Sequence, residues 1–103
     1  MIKVRHITNA NGNEVPNQFE IIVDEYKNSF YKDTFFQSYD SIIAKVRGFD
    51  GQIYLDEYYW DYSRTTMKHL YNFLSMWGYD LNKKKVLKLI EDGKFKLTNL
   101  NKE

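Results

Sequence analysis

The chain has no cysteine, one proline and five glycines among its 103 residues. Without cysteine it forms neither a disulfide nor a cysteine-ligated zinc site, and cysteine nucleophilic catalysis is excluded. That absence fits a reducing compartment. The segment MIKVRHITNANGN lacks the apolar region of a secretory signal, and no apolar run approaches the roughly 20 residues that span a bilayer. We therefore expect a cytoplasmic protein without membrane contact, located in a bacterial cell.

An excess of charge of one sign is also missing, because 15 Lys and Arg residues oppose 14 Asp and Glu residues and leave a net charge of +1. A bulk attraction to nucleic acid is therefore absent, and so is the acidity of a DNA mimic. Aromatic residues are abundant instead, at 17% of the sequence. Because they bury large areas, the composition predicts one folded domain over residues 1–103. Abundant residues with AT-rich codons, such as Lys, Asn and Ile, indicate a low-GC bacterium or its mobile elements as the source.

Alternating hydrophobicity and turn signals predict strands in the first half of the chain. The segments IKVRHIT and NQFEIIVD flank Asn11-Gly12, a dipeptide typical of tight hairpin turns. A strand within TFFQSYDSIIAKVRGF and the segment QIYLD flank Asp50-Gly51 in the same way. Residues 25–33 are polar and rich in turn formers, which favours a loop. KFKLTNL predicts a last short strand.

Helical spacing replaces this alternation after Leu55. The first predicted helix starts after a cap at Asp61 or Ser63 and ends at Gly78. The second starts after Asp80 or Asn82, ends at Gly93, and carries Val86, Leu89 and Ile90 on one stripe. The order of elements predicts an α+β fold, in which two C-terminal helices pack on one face of a mostly antiparallel sheet of about five strands.

Catalytic and metal-binding signatures are missing from the sequence. His6 and His69 lack metal-ligand spacing, and the chain has neither a glycine-rich phosphate loop nor a Gly-x-Ser-x-Gly elbow. The carboxylates of Asp56, Glu57 and Asp61 have a structural explanation, since acids ahead of a helix N-terminus complement the helix dipole. We predict no enzymatic activity, no cofactor and no metal site.

The segment DEYYWDYSRTT places four aromatic and three acidic residues between Asp56 and Tyr62. In a structural interpretation, the rings fill the seam between sheet and helix. In a functional one, exposed Tyr and Trp side chains anchor a partner, as they do at binding hot spots. The local charge of −3 favours a protein with basic features over nucleic acid. The predicted partner-binding residues are Tyr58, Tyr59, Trp60, Asp61, Tyr62, Arg64 and Lys68.

A second candidate site is the lysine cluster Lys83, Lys84 and Lys85, which opens the second predicted helix. Lysines there oppose the helix dipole, and such a cluster attracts phosphate or an acidic partner. The structural alternative is a solvated face, in which Lys88 pairs with Asp92. If their strands are neighbours, further basic residues extend this nucleic-acid surface, namely Lys3, Arg5, Lys45 and Arg47.

The blocks NQFEI, FFQSYDSIIAK and YWDYSRTTMKHLYNFL resemble a family of small uncharacterised proteins from phages, prophages and plasmids of low-GC Gram-positive bacteria. The resemblance runs from Asn17 to about Leu74 and carries over no catalytic residue. It implies an accessory protein that binds a host or phage protein. Some small phage proteins of this kind block defence systems such as CRISPR–Cas or restriction enzymes.

We therefore predict a non-enzymatic accessory protein that binds and modulates or inhibits a host protein. A small nucleic-acid-binding protein is the alternative. Self-association also stays open, because strand edges pair between chains.

Overall fold

The computed structural model describes residues 1–24 and 31–102. Within them lie six strands and two helices, which confirms the predicted α+β class. The strands of the first half are β1 (Ile2–Thr8), β2 (Glu14–Val23), β3 (Asp33–Ser38), β4 (Ser41–Val46) and β5 (Ile53–Asp56). The helices α1 (Arg64–Ser75) and α2 (Lys83–Glu91) follow, and the last strand is β6 (Phe95–Thr98).

The strands form one sheet whose spatial order equals the chain order, β1 to β6. The first five pair antiparallel with their neighbours, whereas β6 pairs parallel to β5 after the crossover through α1 and α2. The number of strands exceeds the predicted five because β3 and β4 are separate strands joined by a turn at Tyr39 and Asp40. Tyr39 has a φ of 55°, and its N–H donates to the Asn17 carbonyl at 2.7 Å. A long-range contact thus stabilises a turn that has no glycine.

The two predicted hairpin turns are confirmed. Gly12 and Gly51 have φ values of +80° and +73°, which an L side chain rarely adopts. Both lie between paired antiparallel strands. Part of the predicted loop at 25–33, residues 25–30, lies outside the described residues, and Asp33 already belongs to β3.

The structure also decides between the predicted helix caps. The side chain of Ser63 accepts the Thr66 N–H at 3.0 Å, and that of Asn82 accepts the Lys85 N–H at 2.8 Å. Each oxygen satisfies a first-turn N–H group that has no partner within its helix. Ser63 and Asn82 are therefore the caps, and α1 begins next to the aromatic segment.

Both helices pack on the same face of the sheet. Phe73 of α1 stacks on Phe36 of β3 with ring centroids 5.5 Å apart, and Val86 of α2 joins the same core cluster as Phe95 of β6. Truncating such a buried phenylalanine to alanine typically costs about 3–5 kcal/mol. The predicted placement of the helices on one face is confirmed.

The opposite face carries no helix among the described residues. Residues directly paired across strands share a face. We define the open face by one row of paired residues that crosses all six strands and lies opposite the core, namely Val4, Ile21, Phe35, Lys45, Tyr54 and Lys96. Among the described residues, no helix has the length and apolar character needed to cross a membrane.

Candidate functional site

The turn after β5 is organised by the buried carboxylate of Asp56, which is 1% exposed. Its Oδ2 accepts the N–H groups of Tyr58 and Tyr59 at 3.1 and 2.9 Å, and its Oδ1 accepts that of Leu100 at 2.8 Å. The Asp56 carbonyl also accepts the N–H of Trp60 at 3.1 Å. Short acidic side chains favour turns in this way, by bonding backbone two or three residues later. Asp56 therefore ties the aromatic segment to the chain that follows β6.

Three tyrosines of this turn form the tyrosine surface, which we define as Tyr58, Tyr59 and Tyr62. Tyr58 and Tyr62 are each 67% exposed, whereas Tyr59 is half-buried and packs against the core. The ring centroid of Tyr59 lies 4.7 Å from that of Tyr58 and 5.9 Å from that of Tyr62. Separations of this size are typical of favourable aromatic pairs. The three rings thus hold one another in a single cluster beside the start of α1.

Trp60 does not belong to this surface. It is 4% exposed and lies in the hydrophobic core. The interpretation of Trp60 as a partner contact is therefore corrected. The reason is that residues 57–62 form turns, so the alternation of an extended strand does not decide which rings point outward. The predicted residues Asp61, Arg64 and Lys68 are exposed.

A cleft of about 380 Å³ separates the tyrosine surface from the turn between β3 and β4. Tyr59 and Tyr62 line one side, and Tyr39 lines the other. The hydroxyls of Ser63 and Thr66 lie in its wall and bond each other at 3.0 Å. The cleft therefore offers ring faces and hydroxyl groups together, which suits a side chain with an apolar body and a polar tip.

The lysine cluster at the start of α2 is exposed at all three positions, Lys83, Lys84 and Lys85. The Nζ of Lys85 lies 3.2 Å from the carbonyl oxygen of Asp80 and 3.9 Å from its carboxylate. The predicted pair of Lys88 and Asp92 is confirmed, with 3.3 Å between Nζ and Oδ1. Anion binding by the cluster stays a prediction.

The four basic strand residues do not form one surface. Strands β1 and β4 are separated by β2 and β3, so the strands of these residues are not neighbours. Lys3 and Arg5 share the face of the helices, where Arg5 bonds the buried carboxylate of Glu20 at 3.1 and 3.2 Å. Lys45 lies on the open face, and Arg47 lies over a ring of that face. The predicted basic strand face is therefore corrected to two separate pairs on opposite faces.

On the open face, cations and aromatic rings alternate. The Lys45 Nζ lies 5.5 Å from the Phe35 ring centroid and 5.9 Å from that of Tyr54. The guanidinium of Arg47 lies 4.6 Å from the ring centroid of Phe49 and 5.4 Å from that of Tyr54. Each contact of this kind contributes roughly 0.5–1 kcal/mol at an exposed site. Sequence reasoning identified Lys45 and Arg47 but missed the rings, although alternation within TFFQ and QIYLD was a signal for Phe35 and Tyr54.

Local environments shift the pKa values of several side chains, among them Asp50 and His69. The hydrogen bonds from the Arg47 guanidinium, at 3.0 and 2.6 Å, lower the pKa of the Asp50 carboxyl to about 2. Burial, aided by the charge of Lys68, lowers the pKa of His69 from 6.5. Over the part of the chain that the structure describes, no group of three or more His, Asp or Glu residues is placed to hold a metal ion.

The fold and these surfaces define a small α+β domain in which both helices of the described residues pack on one face of the sheet. The chain belongs to a protein family described as "Family of unknown function (DUF8033)", which matches residues 2–91 and thus spans β1 to α2. No curated protein and no solved structure matches the chain. The resemblance to phage, prophage and plasmid proteins stays a prediction, because the family description gives neither a source nor a function.

Proposed function

We propose that this chain is a non-enzymatic binding protein that attaches to another protein through the tyrosine surface. By this contact it modulates or inhibits a protein of the bacterial host. The observation that carries the proposal is the pair Tyr58 and Tyr62, both 67% exposed and both in ring contact with Tyr59. Exposed tyrosines of this kind are typical of binding hot spots.

The rigidity of the turn supports the same proposal. The Asp56 carboxylate bonds two N–H groups of the tyrosine segment, and Ser63 caps α1 immediately after it. The rings are therefore held in one arrangement before any partner arrives. Association then costs less ordering entropy, which raises affinity for a given contact area.

The charges around the tyrosine surface indicate the chemistry of the partner. Asp56 is buried and contributes no surface charge, but Glu57 and Asp61 remain exposed beside the rings. Arg64 and Lys68 extend the surface along α1 with the opposite sign. A protein that presents an aromatic or long apolar side chain next to basic residues fits the rings and both carboxylates.

The biological setting is proposed on the resemblance to phage, prophage and plasmid proteins. An accessory protein of such an element acts on a host protein, and defence systems such as CRISPR–Cas or restriction enzymes are targets of this class. Identifying the captured partner tests this part of the proposal.

The experiment is an affinity capture from a nuclease-treated lysate of a low-GC Gram-positive host, at low and at high salt. We expect one stoichiometric host protein that survives both treatments. A hot-spot residue contributes about 2 kcal/mol or more, so Tyr58→Ala with Tyr62→Ala should weaken binding by at least roughly 30-fold. The matched control is Phe49→Ala, which removes a comparably exposed ring, 62% exposed, elsewhere on the chain.

The control variant should bind like the wild type, and thermal unfolding should show that all variants remain folded. A folded double variant with unchanged affinity would remove the tyrosine surface from the proposal. Failure to capture any protein would remove the proposed function itself.

A further inference from the structure

We propose that the open face is a second binding site, at which single-stranded nucleic acid stacks its bases on Phe35 and Tyr54. Lys45, Arg47 and Lys96 would meet the phosphates. This inference concerns a different surface from the tyrosine surface and does not depend on the proposed protein partner.

The rings are correctly placed for stacking because they belong to one row at the centre of the sheet. Phe35 of β3 and Tyr54 of β5 both pair directly with Lys45 of β4. The two rings are therefore two strand spacings apart, or about 10 Å, with a cation between them. Both are half-buried, so each is anchored in the sheet and still offers part of its surface. Phe49 is 62% exposed and adds a ring at the end of β4.

Two of the three cations, Lys45 and Lys96, belong to the same row as the rings. Lys45 contacts both Phe35 and Tyr54, and Lys96 pairs directly with Tyr54 on the adjacent strand. Single-strand binding sites combine stacking rings with a positively charged track for the backbone. An open sheet face with aromatic residues on its central strands and helices behind it presents bases with such a platform.

Two acids compete with phosphate for these cations. Asp33 lies 3.7 Å from the Lys45 Nζ, and Asp50 lies 2.6 Å from the Arg47 guanidinium. With no nucleic acid bound, the acids and the rings hold the cations in place. When single-stranded nucleic acid binds, a base stacks on the ring and a phosphate pairs with the cation. A base stack contributes more free energy than the exposed cation–π contact that it replaces.

A protein partner fits the open face less well than it fits the tyrosine surface. The most exposed aliphatic residues of the open face, Ile2 and Val4, lie on the edge strand β1. Its centre is instead charged and aromatic. A second copy joined through the β1 edge, with its helices on the same side and Val4 opposite Val4, would place Lys3 opposite Arg5 of that copy, and like charges directly opposite are destabilising.

The test is fluorescence anisotropy of a short labelled oligothymidylate, with the matching duplex as competitor, at increasing NaCl. We expect saturable binding that the duplex displaces poorly. If the three cations each contact one phosphate of the oligonucleotide, the logarithm of the association constant should fall with the logarithm of the NaCl concentration with a slope of about 2. Absence of binding at low salt, or equal affinity for duplex, would overturn the proposal.

Two ring variants locate the site. Phe35→Leu and Tyr54→Leu keep an apolar side chain in the sheet, and thermal unfolding checks that each variant folds. Loss of one stacked base should raise the Kd by roughly 5- to 150-fold. Tyr58→Leu in the tyrosine surface and Lys83→Gln in α2 are the controls, and both should leave the Kd unchanged.

The competing sites would give different outcomes. Binding that is lost in Lys83→Gln but unchanged in both ring variants would assign nucleic acid to the lysine cluster and overturn the proposal. A wild-type dimer in sedimentation that becomes monomeric in Phe35→Leu would show that a second copy covers the open face, and would overturn it as well.

Discussion

Replacing Asp56 by asparagine keeps the size of the side chain but removes one of its two acceptors. Three backbone N–H groups share the carboxylate, two on Oδ2 and one on Oδ1. In either orientation of the asparagine, its amino group faces at least one of these donors. In the better orientation the amino group faces the Leu100 N–H, so that backbone N–H and the amino group opposing it are both left without an acceptor, at about 1–3 kcal/mol each. We expect the free energy of unfolding to fall by about 2–6 kcal/mol, which is a large part of the roughly 5–15 kcal/mol of a typical domain.

The assay is urea unfolding followed by tryptophan fluorescence, in which buried Trp60 reports the core next to this turn. The matched control is Asp61→Asn, because Asp61 is an exposed acid of the same segment. Its free energy of unfolding should change by no more than about 0.5 kcal/mol. If Asp56→Asn also stays within that limit, the carboxylate does not organise the turn, and the tyrosine surface is not held in place by it.

Three further predictions concern other parts of the chain. Gly48→Ala places a Cβ 2.5 Å from the Lys32 backbone nitrogen, so it should lower the free energy of unfolding in urea by about 1–3 kcal/mol; an unchanged value would show that the strand ends move apart easily. Arg47→Gln should return the pKa of Asp50 from about 2 towards 3.8 in an NMR titration of the side-chain carboxyl; in the wild type, the stabilisation from this pair is present above pH 3.8 and is lost as the pH falls towards 2. His69 should titrate below 6.5, so the folded state binds fewer protons than the unfolded state and stability falls as the pH drops below 6.5. In His69→Gln the fall in stability below pH 6.5 should disappear. If it persists, another titrating group causes it.

The sequence predicted those parts of the fold that depend on local signals. Asn11-Gly12 and Asp50-Gly51 form the expected turns, and Ser63 and Asn82 cap the helices. The turn at Tyr39 could not be predicted in this way. Its backbone has a positive φ without a glycine, and it is stabilised by Asn17, which is distant in sequence.

The sequence predicted that part of the aromatic segment is exposed but not which rings. The exposed rings of Tyr58 and Tyr62 lie where the aromatic segment indicated. The role of Asp56 required knowledge of Leu100, which reaches it only because β6 pairs with β5. In the same way, alternation within one strand shows which residues share a face, but the placement of Lys3 and Lys45 on opposite faces depends on the register of the strands between them.

The parallel pairing of β5 with β6 also has a consequence for the order of folding. The strands β3 and β4 meet across a two-residue turn, whereas residues 57–94 must be looped out before β6 reaches β5. Loop closure of that length costs about 2–3 kcal/mol more than the short turn. The antiparallel strands are therefore expected to assemble first, and β6 to dock late. Because Leu100 reaches Asp56 only after that docking, the tyrosine segment is expected to acquire its final shape in the last step, and an incompletely folded chain does not yet present the complete tyrosine surface.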